Sequence, residues 1–372
     1  MAMQCYRVGG WVRDRLLGRT QSADCDWVVI GATAEQMISR GFRPIEASFP
    51  VFIHPESGDE FALARCERKV APGYHGFVCC FAPDVTLEQD LLRRDLTINA
   101  MAMDSQGQII DLVGGGRDIG QRWLRHVSPA FAEDPLRVLR LARFQAQLYD
   151  LGFRVAPETA SMVRAMVGTG ELAFLAGERV WRETEKALAS AHPECYFSAL
   201  HEWGALAAVV PELAPSLSDE QQWLHSLSVL QQATARSADL LVRFASWALT
   251  MTDVDWQRLT LPIPRRYGQL VQIARQLRDD YDQVMTMTAT QLVRFLTRIA
   301  AWHGDSARRD RLLLTWAIVA VSDRCDNWLR SCISAGQQVD KAALYAEGYQ
   351  GKDLGMAIEQ ARVSQIERLW QG

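Results

Sequence analysis

Hydrophobic and polar positions follow two different periods along this chain, and the period changes near residue 130. Over the first 125 or so residues, short apolar runs such as 27–30 alternate with short helical patterns. From Glu133 onward, apolar residues recur mostly at helical spacing. Side chains repeat every two residues in strands and about every 3.6 residues in helices. The pattern therefore predicts an α+β protein, with a small mixed sheet and helices first and all-α regions after it.

The N-terminal stretch of residues 6–30 combines a strand, a glycine turn and a helix. Residues 6–8 are extended in character, Gly9 and Gly10 follow, and the helical pattern of 11–17 stops at Gly18. Glycines let backbone N–H groups approach a ligand closely, because no Cβ intervenes. A second strand is predicted to begin near Asp24.

Asp24 and Asp26 stand two residues apart at the head of this second strand. Side chains at i and i+2 of a strand share one face, so both carboxylates are predicted to point the same way. Two adjacent negative charges repel unless a cation lies between them, and Mg²⁺ prefers such oxygen ligands. With the glycine turn nearby, the pattern indicates metal-assisted transfer involving a nucleoside triphosphate. The alternative is a strand cap beside an ordinary turn.

The next elements are predicted from capping and alternation. A capping box at Thr33 predicts a helix to Arg40, and residues 49–54 and 60–65 predict two strands. Glu60 either adds a third carboxylate near the aspartates or is a solvated strand residue. Residues 66–88 show little periodicity and are predicted to form a long functional loop.

Two clusters of charged residues offer further binding chemistry. Arg93, Arg94, Asp95 and Asn99 fall within seven residues at a predicted helix start. They either hold a triphosphate and a sugar or form a solvated charged face. Beyond them, residues 109–113 predict a strand that leads into a glycine turn.

The second cluster lies on one predicted helix. Asp134 is a suitable N-cap and Pro135 a suitable first residue. Arg137, Arg140 and Arg143 fall within an arc of about 120° of that helix, so the three guanidiniums are predicted to face a common place. They form either a site for phosphates or base edges, or a basic solvated face.

Composition narrows the class of protein. A length of 372 residues predicts two or three units, and 48% hydrophobic with 23% charged residues is ordinary for a soluble protein. The net charge of −4 leaves room only for local nucleic-acid-binding patches. The eight cysteines contain no CxxC pair and are predicted to be reduced thiols. Without a signal-like N-terminus or a long apolar run, a cytoplasmic location is expected.

The motifs, taken together, resemble those of the bacterial CCA-adding enzymes, which are class II tRNA nucleotidyltransferases, and of the related poly(A) polymerases. Five motifs occur in the family's order, at residues 8–14 with 24–29, 93–99, 111–116, 133–137 and 178–183. The resemblance is strong over residues 5–200 and weak after about 215. It implies a nucleotidyltransferase head with a five-stranded sheet at 1–128, a helical neck with the nucleotide-selecting motif at 129–200, and a helical, tRNA-binding body and tail at 201–372.

The resemblance also implies roles for individual residues. It implies that Asp24 and Asp26 hold Mg²⁺ and carry the catalysis, in transfer of nucleotides from CTP and ATP to tRNA. The other implied nucleotide-binding residues are Gly10 and Arg13 near the triphosphate, Arg94, Asp95 and Asn99 at phosphate and ribose, Asp134 and Arg137 at the base edge, and Arg140 and Arg143 completing the pocket.

Rival interpretations remain open. A poly(A) polymerase, an enzyme adding only CC or only the terminal A, and a non-catalytic RNA-binding protein would share the scaffold. Relatives with a C-terminal phosphohydrolase domain carry clustered His-Asp ligands. Here His225 is followed by residues 242–250, which contain no His-Asp pair. Since a metal site needs converging ligands, no phosphohydrolase activity is predicted. In the C-terminal half, Trp and Arg either grip an RNA duplex or belong to a helical bundle.

Overall fold

The structure, a computed structural model, divides the chain into two compact units, Met1–Pro211 and Glu212–Gly372. It describes residues 3–19, 25–46, 49–69, 77–302, 306–321 and 323–371. Residue 200, the predicted end of the neck, lies inside a helix, and the division between units falls later in the chain.

The strands of the described residues all belong to the first unit. They are β1 Gln4–Val8, β2 Asp26–Ile30, β3 Arg43–Glu46, β4 Phe49–Ile53, β5 Glu60–Leu63, β6 Cys66–Lys69, β7 Phe77–Cys80, β8 Met101–Met103, β9 Ile109–Asp111, β10 Trp123–Leu124 and β11 Arg154–Val155. Seven of them form one sheet in the order β3-β4-β5-β2-β1-β8-β9, in which only the β2–β5 pair is parallel. A mixed sheet was predicted and is confirmed, although it has seven strands where the resemblance implied five.

The helices of the first unit surround this sheet and then continue alone. They are α1 Gly10–Leu16, α2 Ala34–Ser39, α3 Leu87–Leu92, α4 Gly115–Gln121, α5 Leu136–Gln147, α6 Pro157–Gly168, α7 Gly177–Leu188, α8 Pro193–Glu202 and α9 Ala205–Val209. Short 3-10 turns lie at Thr97–Asn99, Pro129–Glu133, Tyr149–Leu151, Glu171–Phe174 and Pro211–Leu213.

The described part of the second unit is helical. Its helices are α10 Ala214–Leu217, α11 Glu220–Arg236, α12 Leu240–Leu249, α13 Arg265–Gln276, α14 Arg278–Asp282, α15 Ala289–Arg298, α16 Ser306–Val319, α17 Asp323–Gln337, α18 Lys341–Ala346 and α19 Gly351–Gln371. Trp223, Trp247, Trp256 and Trp316 are buried, so these four tryptophans are core residues of a helical bundle. Within the described ranges, no helix has the length and apolar character needed to span a membrane.

Both faces of the sheet are packed, which fixes the direction of the residues at its edge. Val28 joins a core with Leu91 of α3, whereas its neighbour Val29 joins a separate core with Met37 of α2. Because successive side chains of a strand point to opposite faces, Asp26 shares the face of Val28. The carboxylate of Asp26 therefore leaves β2 on the side of α3.

Several predicted elements are confirmed. The capping box at Thr33 and Gln36 begins α2, and β4 and β5 lie within the predicted strands 49–54 and 60–65. The loop predicted at 66–88 is wrong in part, because β6 and β7 pair as an antiparallel ribbon within it. The ribbon is held by main-chain hydrogen bonds, so no alternation of apolar and polar residues predicted its two strands. Residues 70–76 of the loop lie outside the described residues.

The helix start predicted at the Arg93–Asn99 cluster is also wrong. A capping box at Thr86 and Gln89 begins α3 earlier, and Arg93 is the residue at which that helix ends. The side chain of Asp95 accepts a hydrogen bond from the backbone N–H of Leu96 at 2.8 Å, and the 3-10 turn follows. The cluster therefore lies on a tight connection between α3 and β8.

Candidate active site

The turn between β1 and α1 brings a carboxylate and a guanidinium together. Gly9 has φ of +72° and ψ of −141°, a conformation open essentially to glycine alone. A Cβ built on Gly9 would lie 3.5 Å from Oδ2 of Asp26 and 3.7 Å from Nη1 of Arg94. The predicted association of the glycine turn with Asp26 is thus present in the fold.

Asp26 has a second carboxylate beside it. Asp26 and Glu60 are direct partners in the parallel pairing of β2 with β5, and both are exposed. Partners in register point to the same face of a sheet, so this pair offers hard oxygen ligands suited to Mg²⁺. Asp24 lies outside the described residues, and among those described no three acidic, histidine or cysteine side chains form a complete metal site. Burial raises the pKa of the intervening Cys25 to about 11, which keeps that thiol protonated.

Arg13 lies in the middle of α1 and is buried. A Cβ built on Gly10 would lie 3.3 Å from Nη2 of Arg13. Arg13 donates from Nη1 to Oδ1 of Asn99 at 2.8 Å and from Nε to Asp14 at 3.0 Å. Its guanidinium also lies 5.5 Å from the ring centroid of Phe144. These contacts join α1 to the 3-10 turn that carries Asn99.

Asp95 joins that same turn to α5. Its Oδ2 accepts hydrogen bonds from Nε of Arg140 at 2.8 Å, and its Oδ1 lies 3.5 Å from Nδ2 of Asn99. Burial raises the pKa of Asp95, but the guanidinium of Arg140 outweighs that effect and holds the pKa well below its usual value. The carboxylate in turn raises the pKa of Arg140. The pair therefore stays charged throughout the neutral pH range.

Glu183 of α7 lies against two arginines of α5. Its Oε2 accepts from Nε of Arg143 at 2.5 Å, and its Oε1 lies 3.8 Å from Nη1 of Arg140. Arg143 also donates to Gln147 at 2.9 Å, and its guanidinium lies 4.1 Å from the ring centroid of Phe144. Only 6% of Arg143 is exposed, so its side chain holds α5 to α7 rather than facing an open surface.

Asp134 caps α5 with its side chain, as predicted, although the N-cap position of the helix is the next residue, Pro135. Its Oδ1 accepts from the backbone N–H of Leu136 at 3.0 Å, and its Oδ2 accepts from Nη2 of Arg179 at 3.0 Å. Arg179 belongs to the fifth predicted motif, residues 178–183, on α7. Two predicted motifs are thus in direct contact.

Arg137, the first of the three arginines on α5, hydrogen-bonds to backbone carbonyl groups. It donates from Nη1 to the carbonyl oxygen of Ala130 at 2.8 Å and from Nη2 to that of Arg93 at 2.7 Å. Arg140 and Arg143 share Glu183, whereas Arg137 lies at the first turn of α5 with backbone partners. The three guanidiniums therefore have different hydrogen-bond partners, although the charges of Arg137 and Arg140 both lower the pKa of Asp95.

Two residues that the sequence reasoning missed lie at the centre of these contacts. Asp90 is fully buried and accepts hydrogen bonds from Arg93 and Arg94, and Phe144 lies against three guanidiniums. A signal existed for Asp90, which stands at helical spacing on the buried face of α3 with the apolar Leu87 and Leu91. A charged residue at a core position indicates a buried partner.

In the second unit, the histidine singled out by the sequence is exposed on α11. His225 therefore projects from the helix surface, away from the core of that unit. No cluster of three potential metal ligands occurs among the residues that the structure describes.

Comparison with known proteins covers the chain from end to end. The family described as "Poly A polymerase head domain" matches residues 5–125, and the family described as "Probable RNA and SrmB-binding site of polymerase A" matches residues 152–217. A CCA-adding enzyme of Pseudomonas putida is 42% identical over 100% of both chains. A multifunctional CCA protein of Hahella chejuensis is 42% identical over 99% of this chain and 96% of its own length.

Solved structures agree in fold. The CCA-adding enzyme of Bacillus stearothermophilus in complex with CTP superimposes with a TM-score of 0.69 at 23% identity, over 98% of this chain and 89% of that one. An apo form of a CCA-adding enzyme gives a TM-score of 0.71 at 20% identity, over 98% and 88%. Identity above 40% over full length establishes the family, and the five motifs all belong to the first unit. The chain belongs to the family of CCA-adding enzymes.

Proposed function

We propose that this protein adds and repairs the 3′-terminal CCA of tRNA, using CTP and ATP without a nucleic-acid template and releasing pyrophosphate. The observation that carries the proposal is the convergence of Gly9, Asp26 and Arg94, whose atoms lie within 4 Å of one point. Full-length similarity to CCA-adding enzymes supports the choice of substrates.

The acidic end of the site suits a divalent metal. Asp26 is proposed to hold Mg²⁺ together with Asp24, and Glu60 is the candidate for a third carboxylate because it is in register with Asp26. When bound, the ion would supply charge neutralisation at the phosphates and activation of the tRNA 3′-hydroxyl. The attack on the α-phosphorus forms the new phosphodiester bond and breaks the bond to the β-phosphate.

The chain's own contribution is positioning. The N–H groups of the Gly9–Gly10 turn and the guanidinium of Arg94, which lie together, are proposed to bind the triphosphate. Asp95 and Asn99, whose side chains are 3.5 Å apart, are proposed to contact phosphate and ribose with Arg94. Prearranged donors stabilise negative charge without reorganising during the reaction. Arg13 supports this arrangement through its hydrogen bond with Asn99.

Base selection is assigned to the first turn of α5. Asp134 offers carboxylate acceptors and Arg137 offers guanidinium donors, a combination that matches the edge of cytosine or adenine. Arg179 holds Asp134, and the carbonyl oxygens of Ala130 and Arg93 hold Arg137. We propose that Arg140 and Arg143 complete the pocket from behind, through Asp95 and Glu183.

The test is incorporation with purified protein and Mg²⁺ on a tRNA that lacks its 3′ end, with CTP alone, ATP alone and both together. Products that stop after CCA with both nucleotides are the expected result. An open-ended ladder of A would indicate a poly(A) polymerase, and a stop after CC or a single A would indicate a partial enzyme. Absence of any extension, in a protein that still binds RNA, would contradict the proposal.

A further inference from the structure

A fully buried carboxylate lies behind the triphosphate site, outside every predicted motif. Asp90 of α3 is 0% exposed. Its Oδ1 accepts from Nη2 of Arg93 at 2.7 Å and from the backbone N–H of Arg65 at 3.3 Å. Its Oδ2 accepts from Nε and Nη2 of Arg94 at 3.1 and 3.0 Å. Burial raises the pKa of Asp90, but Arg94 and Arg93 outweigh that effect and hold it below its usual value.

The bond to Arg94 uses two nitrogens, and this fixes the plane of the guanidinium. A guanidinium is rigid and planar, so holding Nε and Nη2 also determines the direction of the third nitrogen. That nitrogen, Nη1, lies 3.7 Å from the Cβ position of Gly9, and Oδ2 of Asp26 lies 3.5 Å from the same position. An arginine without such a partner would lose rotamer entropy on binding a ligand.

We propose that Asp90 is a positioning residue, which holds Arg94 so that Nη1 faces the triphosphate of the incoming nucleotide beside Gly9 and Asp26. The inference rests on the proposed function in one respect, that Arg94 contacts phosphate. Asp90 has no exposed surface, so it acts on a ligand through its hydrogen-bond partners, and among these Arg94 is the one that faces Gly9 beside Asp26.

The competing explanation is that Asp90 serves stability alone, by joining the end of α3 to Arg65. Arg93 contributes to that connection, since its Nε donates to the carbonyl oxygen of Arg65 at 2.8 Å. A purely structural role would lower the stability of the fold and leave the affinity of the folded protein for phosphates unchanged. The two explanations therefore differ in a binding measurement on folded protein.

The first experiment replaces Asp90 by the isosteric asparagine in the full chain. Binding of inorganic triphosphate and of CTP, each with Mg²⁺, is measured by calorimetry, and folding is checked by urea denaturation. An amide accepts from Arg94 without a charge, so Asp90→Asn is expected to weaken both ligands about tenfold. Discrimination between CTP and UTP should not change, because Asp134 and Arg137 are untouched.

Asp326→Asn is the matched control. Asp326 of α17 is also buried and is also bonded to an arginine, Arg330, through Nε at 3.0 Å. Replacing it removes a buried, paired charge in the second unit, whereas the residues proposed to bind the triphosphate belong to the first. The control should lose stability and keep its affinity for inorganic triphosphate. A control that loses triphosphate affinity as strongly as Asp90→Asn would overturn the proposal.

A double-mutant cycle tests whether Asp90 acts through Arg94. Arg94→Ala should weaken triphosphate binding, and adding Asp90→Asn to it should cause no further loss. Additive losses would show that Asp90 affects binding by another route. Unchanged triphosphate affinity in folded Asp90→Asn would also overturn the proposal.

Arg94→Lys covers the case in which Asp90→Asn does not fold. Lysine keeps a positive partner for Asp90, but its single nitrogen serves either the carboxylate or the phosphates. Triphosphate affinity should therefore fall about tenfold, and affinity equal to that of the unaltered protein would contradict the positioning role. These measurements need neither tRNA nor turnover. Failure of the unaltered protein to extend tRNA would therefore count against the proposed function and leave this inference to its own test.

Discussion

At the scale of single residues, the site consists of charged side chains whose partners determine what each can do. Asp26 and Glu60 are exposed and in register, which suits a group that receives a hydrated cation. Arg143 and Asp95 are buried and bonded to opposite charges, which suits a fixed framework. Removing an exposed, metal-binding carboxylate should therefore lower the rate of nucleotide transfer. Removing one member of a buried ion pair should lower the free energy of unfolding as well.

Asp26→Asn should abolish nucleotide transfer and leave the fold intact. The side chain is exposed, and the change removes a negative charge beside Glu60, so the unfolding free energy should change by less than about 1 kcal/mol. Transfer should fall by about a thousandfold or more, because the proposed metal ligand is lost. Single-turnover incorporation and urea denaturation measure the two effects. Glu56→Gln, in the exposed turn before β5, is the control. Activity retained by Asp26→Asn would exclude the metal-binding role.

At the scale of secondary structure, the elements with a local cause were predictable and those with a distant cause were not. The capping residue Thr33 predicted the start of α2, and Asp134 predicted the start of α5. The ribbon of β6 and β7 depends on pairing between two segments and gave no local period. Likewise, the arc of Arg137, Arg140 and Arg143 followed from helix geometry, but their partners include Glu183 of α7 and the carbonyl group of Arg93, which are distant in the sequence. The sequence order of motifs indicated the site; the partners came from tertiary packing.

Helix α4 provides a matched pair of glycines for testing how closely elements must approach. A Cβ on Gly115 would lie 2.3 Å from the carbonyl oxygen of Thr97, in the turn that carries Asn99. Gly115→Ala should therefore lower the unfolding free energy by about 1–3 kcal/mol and weaken nucleotide binding. A Cβ on Gly120 meets nothing within 4 Å, so Gly120→Ala should stabilise by about 0.5–1 kcal/mol. Urea denaturation of both variants measures the change in unfolding free energy. Equal changes in the two variants would contradict the explanation from close contact at Gly115.

His192, just before α8, pairs with an aspartate in the 3-10 turn after α5, and this contact should make the stability of the fold depend on pH. His192 lies 2.5 Å from Asp150 and 3.0 Å from Glu194, with the ring of Tyr149 beside it. Burial lowers the pKa of His192, but the hydrogen bonds with Glu194 and Asp150 outweigh it, and the pKa is raised above 6.5. The stabilisation by protonated His192 is then complete below pH 6.5, the pKa in the unfolded chain. It is lost as the pH rises through the higher pKa of His192 in the folded protein.

His192→Gln should accordingly cost more stability near pH 6 than near pH 9. Asp150 is largely exposed, so the difference should stay below about 1 kcal/mol. Thermal or urea denaturation at both pH values measures it, with the exposed His225→Gln as control. A larger loss at the higher pH would reverse the sign and refute the assignment.

At the scale of the whole molecule, the described residues proposed to bind nucleotide all lie in the first unit, Met1–Pro211. The unit has its own cores on both faces of the sheet, so it meets the requirements of an independently folding domain. The second unit carries exposed arginines such as Arg258 and Arg294, whose side chains are 87% and 72% exposed. Phosphate contacts supply much of the affinity for RNA.

A chain ending at residue 211 should therefore bind CTP with an affinity within about threefold of the full chain and bind tRNA at least about tenfold more weakly. A chain ending at residue 200, where the sequence suggested the boundary, cuts α8 before its end at Glu202. Because α8 packs along α5, the shorter fragment should be less stable and lose CTP binding.

Calorimetry with CTP, filter binding with tRNA and urea denaturation distinguish the two fragments. Loss of CTP binding by a folded 1–211 fragment would mean that the second unit takes part in the nucleotide site. Unchanged tRNA affinity would instead place the RNA-binding surface in the first unit, where residues 152–217 match an RNA-binding family over most of their length.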